Sequence, residues 1–478
     1  MLFNSWLFFV FFPIVTILYF ITPFKYRWLV LLASSCVFYM AFVPVYLLIL
    51  AATIIIDYFA AIQIEQSEGH IRNRWLLISI VFTCLILFFF KYYDFFTWNV
   101  NKLAEIFKLD LSIAALHLLL PIGLSFHTFQ SLSYVIEVYR GNQKSERHFG
   151  IYALYVMFYP QLVAGPIERP QNLLHQFHDE HRFNYNDVVS GLRLMAWGLF
   201  KKAVIADRLA RFVSPIYDNP EGFDGGLLMV ATLFFSFQVY CDFSGYSDMA
   251  RGAARVMGFK LMLNFDRPYA STSLSEFWRR WHISLSTWLR DYVYEPTAMG
   301  LRDRGMYGIV VALLLTFLIS GFWHGASWTF VIWGLLHGIG LSLEVVFAKK
   351  RKKLSKIIPA FLFKAIMLGL TFSFVNFTYI FFRAESLSDA FIIIKQILMW
   401  IFSLDHFSSV FNENDFVSNC LFILFLIVAQ YFYVRINLEE LFQKCAWWLR
   451  MFIYQVAVAC IAFWGVWLQG QSFIYFQF

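Results

Sequence analysis

The chain has 478 residues, of which 60% are apolar, 21% are aromatic and only 14% are charged, with a formal net charge of +7. A water-soluble domain carries about 25% charged residues, so this composition excludes an ordinary soluble enzyme and indicates an integral membrane protein. The six cysteines are scattered without a Cys-x-x-Cys pair, which argues against a zinc site or a disulfide framework. We therefore expect no metal site and no permanently bound cofactor.

About twelve apolar runs approach the length of some 20 residues that crosses the bilayer core as a helix. They lie near residues 3–22, 28–43, 45–63, 75–93, 112–138, 150–165, 226–241, 308–322, 326–347, 361–382, 419–434 and 452–468. These runs are too long and too uniformly apolar for the strands of a membrane barrel. The sequence predicts an all-α membrane protein with about 11–12 transmembrane helices. Since no polar linker separates two halves, we expect one polytopic domain over 1–478.

The distribution of charged loops predicts the orientation in the membrane. Lysine and arginine concentrate in cytoplasmic loops, and residues 349–356 form the most basic loop of the chain. The acidic stretch 384–418 is then expected on the opposite side. Counting spans outward from these two loops places both Met1 and Phe478 on the extracytoplasmic side.

Residues 273–294 depart from a simple membrane span. They alternate aromatic and basic side chains, a pattern typical of amphipathic helices that lie in or dip into a membrane interface. Their Arg279, Arg280 and Arg290 suit either of two roles. They bind lipid headgroups, or they line a site for an anionic donor whose phosphates fit guanidinium groups. The sequence alone leaves both roles open.

Residues 307–343 carry no charged side chain and would extend about 55 Å as one helix, beyond a bilayer core of about 30 Å. The run must break, and residues 321–327, with two glycines and a serine, are the natural place. His324 lies at this break, and a histidine deep in apolar sequence is either a hydrogen-bonded core residue or a catalytic base. The break and a second histidine on the amphipathic stretch, His282, favour the catalytic interpretation.

Other polar residues in apolar surroundings are interpreted as structural. Asp242 lies near the end of an apolar run, where an unpaired carboxylate is costly, so we expect a basic partner such as an arginine of residues 279–290. His337 lies on a regular helical run and is predicted to be structural. Glu168 and Arg169, between two prolines, are interpreted as an ion pair within a loop.

Four ordered strings carry a resemblance to a known family. They are YCDFSGYSDMA at 240–250, NFDRPY at 264–269, FWRRWHISLSTWLRD at 277–291 and WHGASW at 323–328. In these strings the chain resembles the membrane-bound O-acyltransferase family, and more narrowly its bacterial branch typified by the alginate O-acetyltransferase membrane subunit. The match runs from about residue 120 to the end of the chain. The sequence PTAMG at 296–300 departs from the family's usual proline-leucine-glycine-glycine.

The resemblance implies a ring of helices, with re-entrant or interfacial helices, around a thinned, funnel-shaped centre. It makes His324 the essential histidine and His282 its polar companion. Candidates for contact with substrate or donor are Asp242, Trp323 and the three arginines at 279, 280 and 290. No residue is expected to bind a metal.

The implied function is the transfer of acetyl groups from cytoplasmic acetyl-CoA across the bacterial inner membrane, for O-acetylation of an alginate-type polysaccharide or peptidoglycan. The resemblance to this branch also implies a separate extracytoplasmic SGNH-type acetyltransferase as a partner. No Gly-x-Ser-x-Gly elbow or soluble hydrolase domain is apparent in this sequence. The polysaccharide acceptor would then be reached indirectly. Membrane lipids are further partners, and nothing indicates nucleic acid.

Three other functions compete with acetyl transfer. Within the same chemistry, D-alanine or another acyl group is moved from a carrier protein to teichoic acid. A transporter or flippase is a second alternative, although we find none of the internal repeats that many transporters show. A structural scaffold for a polymer synthase is the third, and it predicts that His324→Ala leaves surface acetylation intact.

Overall fold

The computed structural model describes residues 1–403, 415–435, 442, 444–467 and 473–474. These residues form helices and connecting loops, with no β-strand among them, which confirms the predicted all-α class. The chain separates into two compact units, Met1–Ala196 with Tyr246–Asn264, and Trp197–Gly245 with Phe265–Phe478. Each unit is described by itself, and the single domain over 1–478 stays a prediction.

Ten α-helices precede residue 200. They are α1 Trp6–Ile21, α2 Phe24–Met40, α3 Tyr46–Gln66, α4 Gly69–Leu87, α5 Tyr93–Ile106, α6 Leu124–Arg140, α7 Phe149–Met157, α8 Tyr159–Leu162, α9 Pro170–Leu173 and α10 Tyr185–Leu199. A buried carboxyl group ties two of them together, because Asp57 of α3 accepts hydrogen bonds from Ser79 Oγ at 2.6 Å and Thr83 Oγ1 at 3.4 Å, both on α4.

The remaining described α-helices begin after a π-helical turn at Phe200–Ala206. They are α11 Asp207–Asp218, α12 Gly225–Val256, α13 Leu274–Arg280, α14 Ile283–Leu289, α15 Glu295–Gly300, α16 Gly305–His324, α17 Trp328–Val346, α18 Ala348–Ile357, α19 Ala360–Arg383, α20 Leu387–Ser403, α21 Phe416–Arg435 and α22 Trp447–Trp464. The short helices α13 and α14 occupy the amphipathic stretch at 273–294 that the sequence analysis distinguishes from the simple spans.

Eight helices among the described residues are long and apolar enough to cross a membrane. They are Tyr46–Gln66, Gly69–Ile106, Gly225–Val256, Arg302–His324, Trp328–Val346, Ala360–Arg383, Phe416–Tyr433 and Trp447–Trp464. A multi-pass membrane protein is confirmed, with fewer such helices than the predicted 11–12. The first two helices, of 16 and 17 residues, are shorter than all eight.

The predicted span at 150–165 is wrong as a single helix. Helix α7 ends at Met157, and Phe158 is extended with φ −53° and ψ 110°. Pro160 explains the break, because proline lacks the N–H that continues a helix and its ring clashes with the carbonyl four residues earlier. The predicted span at 112–138 is also shortened, since α6 begins only after Gly123, whose φ is +79°.

The charge-free run breaks where the sequence predicted. Helix α16 ends at His324, and α17 begins at Trp328 with Ser327 as its N-cap, whose hydroxyl accepts the Thr329 N–H. The two helices then pack with their backbones in contact. A methyl group at Gly334 would lie 2.3 Å from the carbonyl oxygen of Phe317, and one at Gly321 would lie 2.4 Å from that of Phe330. This close packing fixes the end of α16 and with it His324.

The contact between α16 and α17 predicts a strong effect of substitution at Gly334. Gly334→Val is expected to destabilise the protein by about 1–3 kcal/mol or more, because its side chain meets a helix backbone that cannot move aside. Thermal unfolding in detergent measures the loss. Gly369→Ala is the matched control, since a methyl group there has no neighbour within 4 Å. Equal melting temperatures for the two variants would contradict the close packing.

Glu168, which the sequence analysis interprets as a loop partner of Arg169, also has contacts in the interior of its unit. Glu168 is fully buried, and its Oε1 accepts a hydrogen bond from the backbone N–H of Met262. The Tyr155 hydroxyl donates to the Glu168 carbonyl oxygen at 2.9 Å. Burial raises the pKa of Glu168 from 4.5 to about 7, against the opposing effects of the Met262 N–H and the Arg169 charge. Glu168 therefore belongs to the core of its unit.

The raised pKa of Glu168 predicts a pH dependence of stability. A carboxyl group whose folded pKa exceeds its unfolded value stabilises the fold fully below the unfolded pKa, and this contribution is lost as the pH rises through the folded pKa. Between pH 4.5 and about 7 the free energy of unfolding should therefore fall, by up to about 3 kcal/mol from this group. Melting temperatures across this range should decline more steeply for wild type than for Glu168→Gln. Identical slopes would show that Glu168 is not the titrating group.

Candidate active site

His324 is the buried last residue of α16, with 3% of its surface exposed. Its Nδ1 lies 2.7 Å from the backbone carbonyl oxygen of Ser320, one helical turn earlier. A carbonyl oxygen can only accept, so Nδ1 carries a hydrogen atom and donates it. In a neutral imidazole Nε2 is then the nitrogen with the lone pair. The helix backbone thus fixes the tautomer in which Nε2 can take a proton.

Aromatic rings surround the imidazole of His324. The ring centroids of Trp333, Trp323 and Phe382 lie 4.8, 4.9 and 5.6 Å from that of His324. The indole Nε1 of Trp333 is buried and has no hydrogen-bond partner among the described residues. A buried N–H without a partner loses about 1–3 kcal/mol of solvation. The site therefore combines an apolar wall, a nitrogen base and a hydrogen-bond donor.

His282 lies between α13 and α14 in a left-handed backbone conformation, with φ +41°, which is uncommon for a residue other than glycine. Its Nδ1 is 3.4 Å from Ser284 Oγ, and its ring stands perpendicular to that of Phe243 at 4.6 Å. Burial lowers the pKa of His282 well below its ordinary value, and the neighbouring His324 lowers it further. His282 is therefore a neutral imidazole.

The structure brings the two predicted histidines into contact with one side chain. The ring of Trp323 lies 4.9 Å from that of His324 and 5.9 Å from that of His282. Trp323 is itself buried, with 4% of its surface exposed. Its indole therefore contacts both imidazoles.

The predicted arginine partner of Asp242 is wrong, because the partner is Lys202. The Lys202 Nζ lies 2.6 Å from Asp242 Oδ1 and 2.7 Å from Asp207 Oδ1. Close approach of the π-helical turn Phe200–Ala206 to α12 explains the pairing. A methyl group at Gly245 would lie only 2.7 Å from the Gly198 carbonyl oxygen, so glycine allows the two backbones to meet.

Lys202, Asp207 and Asp242 form a buried triad, with side chains 2–6% exposed. Burial lowers the pKa of Lys202, but Asp242 and Asp207 more than offset this and hold it above its ordinary value. Burial raises the pKa of Asp207 to about 6, although Lys202 opposes the shift. The other oxygen of Asp242, Oδ2, accepts the backbone N–H of Ile474 at 2.8 Å. Both oxygens of Asp242 thus have protein partners.

The three predicted donor-binding arginines lie at the surface of their unit. Arg279 is exposed and its guanidinium is 3.5 Å from Ser275 Oγ. Arg280 is half-buried and pairs with Glu276 at 2.9 Å, while Arg290 is exposed and pairs with Asp291 at 2.8 Å. These contacts fit both a lipid-binding and a donor-binding role, so the donor role stays a prediction.

His337 has the contacts of a structural residue. The Trp278 indole N–H donates to its Nδ1 at 3.3 Å, and its Nε2 is 3.0 Å from Thr378 Oγ1. The Thr378 hydroxyl donates to the Val375 carbonyl, so it accepts from Nε2–H. Both ring nitrogens are occupied by these bonds.

Several residues of the site were missed by sequence reasoning. Ser320 was within reach, because the carbonyl four residues before a helical histidine is its nearest acceptor. Lys202, Asp207 and Trp333 carried no comparable signal, since their contacts depend on how distant helices pack. Among the described residues, no group of three or more His, Cys, Asp and Glu side chains is arranged to hold a metal ion.

Comparison with known proteins identifies the family of the chain. The model of the MBOAT, membrane-bound O-acyltransferase family matches residues 148–382, which include both histidines. The chain is 38% identical over 430 residues to a peptidoglycan O-acetyltransferase of Helicobacter pylori, covering 83% of this chain and 79% of the relative. It is 38% identical over 396 residues to a probable alginate O-acetylase of Azotobacter vinelandii, covering 82% and 76%.

More distant similarity extends to a different acyl group. A teichoic acid D-alanyltransferase of Streptococcus thermophilus is 30% identical over 250 residues, covering 49% of this chain and 59% of the relative. The names of these relatives share acyl transfer as their reaction. Together with the eight apolar helices and the paired histidines, these matches show that the chain belongs to the membrane-bound O-acyltransferase family and is a multi-pass membrane O-acyltransferase.

Proposed function

We propose that this protein transfers acetyl groups from cytoplasmic acetyl-CoA to an extracytoplasmic acceptor, for the O-acetylation of a cell-surface polysaccharide or peptidoglycan. The observation that carries the proposal is the hydrogen bond from His324 Nδ1 to the Ser320 carbonyl, which leaves Nε2 as the base. The names of the two 38%-identical relatives, both O-acetyl-transferring enzymes, support acetate as the acyl group.

In the proposed reaction, Nε2 of His324 takes the proton of the acceptor hydroxyl as its oxygen attacks the thioester carbonyl carbon. The carbon–sulfur bond of acetyl-CoA then breaks, and the departing thiolate receives the proton from His324. The products are an acetyl ester and free coenzyme A. A positioned general base contributes typically 10²–10⁴-fold to such a reaction. His282, a neutral imidazole whose ring contacts Trp323, is proposed to help hold the residues of the site in position.

The proposed reaction also needs a donor for the negative charge that develops on the thioester oxygen. We assign this role to the indole N–H of Trp333, because it is buried without a hydrogen-bond partner among the described residues and its ring contacts His324. Donors held ready in an apolar site stabilise an oxyanion more effectively than water does.

On the donor side, Arg279 and Arg290 are exposed and suited to the phosphates of coenzyme A. On the acceptor side, we propose an extracytoplasmic SGNH-type partner whose serine accepts the acetyl group and passes it to the polymer. The protein then lies in a bacterial inner membrane with both termini extracytoplasmic. Residues 475–478 at the carboxyl end lie outside the described part of the chain.

Transfer of D-alanine to teichoic acid is the second candidate, favoured by the similarity to the teichoic acid D-alanyltransferase. It uses the same base, since a thioester and a hydroxyl are again the reactants. The matched share of the chain is 49% in that comparison and 83% for the peptidoglycan enzyme, so acetate is the better supported group.

The role of His324 predicts that His324→Ala abolishes acetylation. Ester-linked acetate on surface polymers should fall by about 10²-fold or more, to the level of cells without the protein. The comparison uses cells without the protein and cells with wild type, His324→Ala or His127→Gln at matched membrane protein levels. His127 is the control, a buried histidine whose Nε2 bonds to Thr53 Oγ1 at 2.5 Å in the other unit.

The same samples distinguish the alternatives. Acetate that is equal in all strains would contradict acetyl transfer. Ester-linked D-alanine that depends on His324 would then identify the second candidate.

The role of Trp333 predicts a selective effect of Trp333→Phe, which removes the N–H and keeps an aromatic ring. The turnover rate should fall by about 10²-fold, while the KM for acetyl-CoA changes little, because the bond forms only in the transition state. Initial rates with purified protein in lipid nanodiscs measure both constants. Unchanged turnover in a folded variant would exclude Trp333 as the oxyanion donor.

A further inference from the structure

The carboxyl-terminal part of the chain is attached to its unit at two described points. The backbone N–H of Val466 donates to the Ala203 carbonyl oxygen at 3.0 Å, within the π-helical turn Phe200–Ala206. The backbone N–H of Ile474 donates to Asp242 Oδ2 at 2.8 Å, on α12. Phe473 and Ile474 are 2% and 5% exposed. These described residues are therefore part of the interior of the unit.

The buried triad provides the acceptor of the second hydrogen bond, the one donated by the Ile474 N–H. Lys202 approaches Asp242 and Asp207 on one side, and the Oδ2 of Asp242 faces the Ile474 N–H on the other. A hydrogen bond to an ionised carboxylate is stronger than one between neutral groups. Lys202 thus gives the buried carboxyl group of Asp242 a partner at 2.6 Å, where an isolated carboxylate would be costly.

A continuous line of ring contacts joins this attachment to the candidate active site. The ring of Phe473 lies 5.6 Å from that of Phe243, which follows Asp242 on α12. The ring of Phe243 lies 4.6 Å from that of His282, at an angle of 90°. His282 in turn contacts Trp323, next to His324. Phe473 therefore packs against Phe243, the side chain that contacts the His282 ring.

We propose that the buried triad and the carboxyl-terminal residues Val466, Phe473 and Ile474 act together to position His282, so that Lys202 and Asp242 are positioning residues for acyl transfer. The inference rests on the proposed function for its effect on transfer, and on geometry alone for the attachment. Phe473 and Ile474 make these contacts inside the unit, where both side chains are buried.

Thiol labelling tests the attachment without any assay of transfer. Ile474→Cys introduces a reporter thiol, and mass spectrometry of its peptide follows modification by a maleimide in purified, detergent-solubilised protein. Asp242→Ala should speed modification by about tenfold or more, because the acceptor for the Ile474 N–H is lost. Asp218→Ala is the matched control, since Asp218 forms a surface ion pair with Arg383 at 2.8 Å. It should leave labelling unchanged.

The positioning role is tested on the same variants without the reporter. Asp242→Ala should lower the turnover rate by about tenfold or more with less change in the KM for acetyl-CoA, since the buried triad is bonded to protein groups and is proposed to act through His282. Phe473→Ala tests the contact without altering charge, and it covers the case in which Asp242→Ala fails to fold. Phe473→Leu, which retains a large apolar side chain, should recover part of the lost rate.

Two results would overturn the inference. Ile474→Cys labelling that is no faster with Asp242→Ala than without it would show that the triad does not hold Ile474 in place. Turnover that is unchanged in folded Phe473→Ala would show that Phe473 does not position His282. Failure of the proposed function itself appears differently, as acetate that is independent of His324, and it leaves the labelling result intact.

Discussion

The hydrogen bond from His324 to the Ser320 carbonyl is the interaction on which the account of catalysis depends. It is possible because the charge-free run ends its first helix at His324, so that the histidine has a backbone acceptor one turn earlier and aromatic rings on its other sides. The glycine contact between α16 and α17 in turn fixes the end of the helix. A long apolar run must break to fit the membrane, and here the break leaves His324 at a helix end. Its hydrogen bond to the Ser320 carbonyl then fixes the tautomer of the imidazole.

The protein treats its buried charges and its surface charges differently. Arg280 and Arg290 of the amphipathic stretch pair with nearby carboxylates at partly exposed positions, where such pairs contribute about 0–1 kcal/mol. Lys202 and its two aspartates are buried, where loss of one partner leaves an uncompensated charge and typically costs about 3–5 kcal/mol. The buried charges are therefore the ones that fix geometry near Phe243 and His282.

Much of this arrangement was predictable from sequence because it follows from local rules. Helix length and the break at 321–327 depend on hydropathy and glycine placement, whereas the roles of His324 and His282 stay predictions. The partner of Asp242 was not predictable, because Lys202 lies 40 positions earlier and meets it only through the packing at Gly245. The interrupted helix at Pro160 was missed for another reason, since hydropathy alone does not register the hydrogen bond that proline cannot make.

The central claim is that the protein passes acetyl groups through the membrane by means of His324. Inverted membrane vesicles that contain the protein and its luminal acceptor, supplied outside with radiolabelled acetyl-CoA, measure this directly. The account predicts labelled acetyl ester inside the vesicles for wild type and none above background for His324→Ala, with equal protein content. Equal luminal label in both preparations, or label that accumulates only as intact acetyl-CoA, would contradict it.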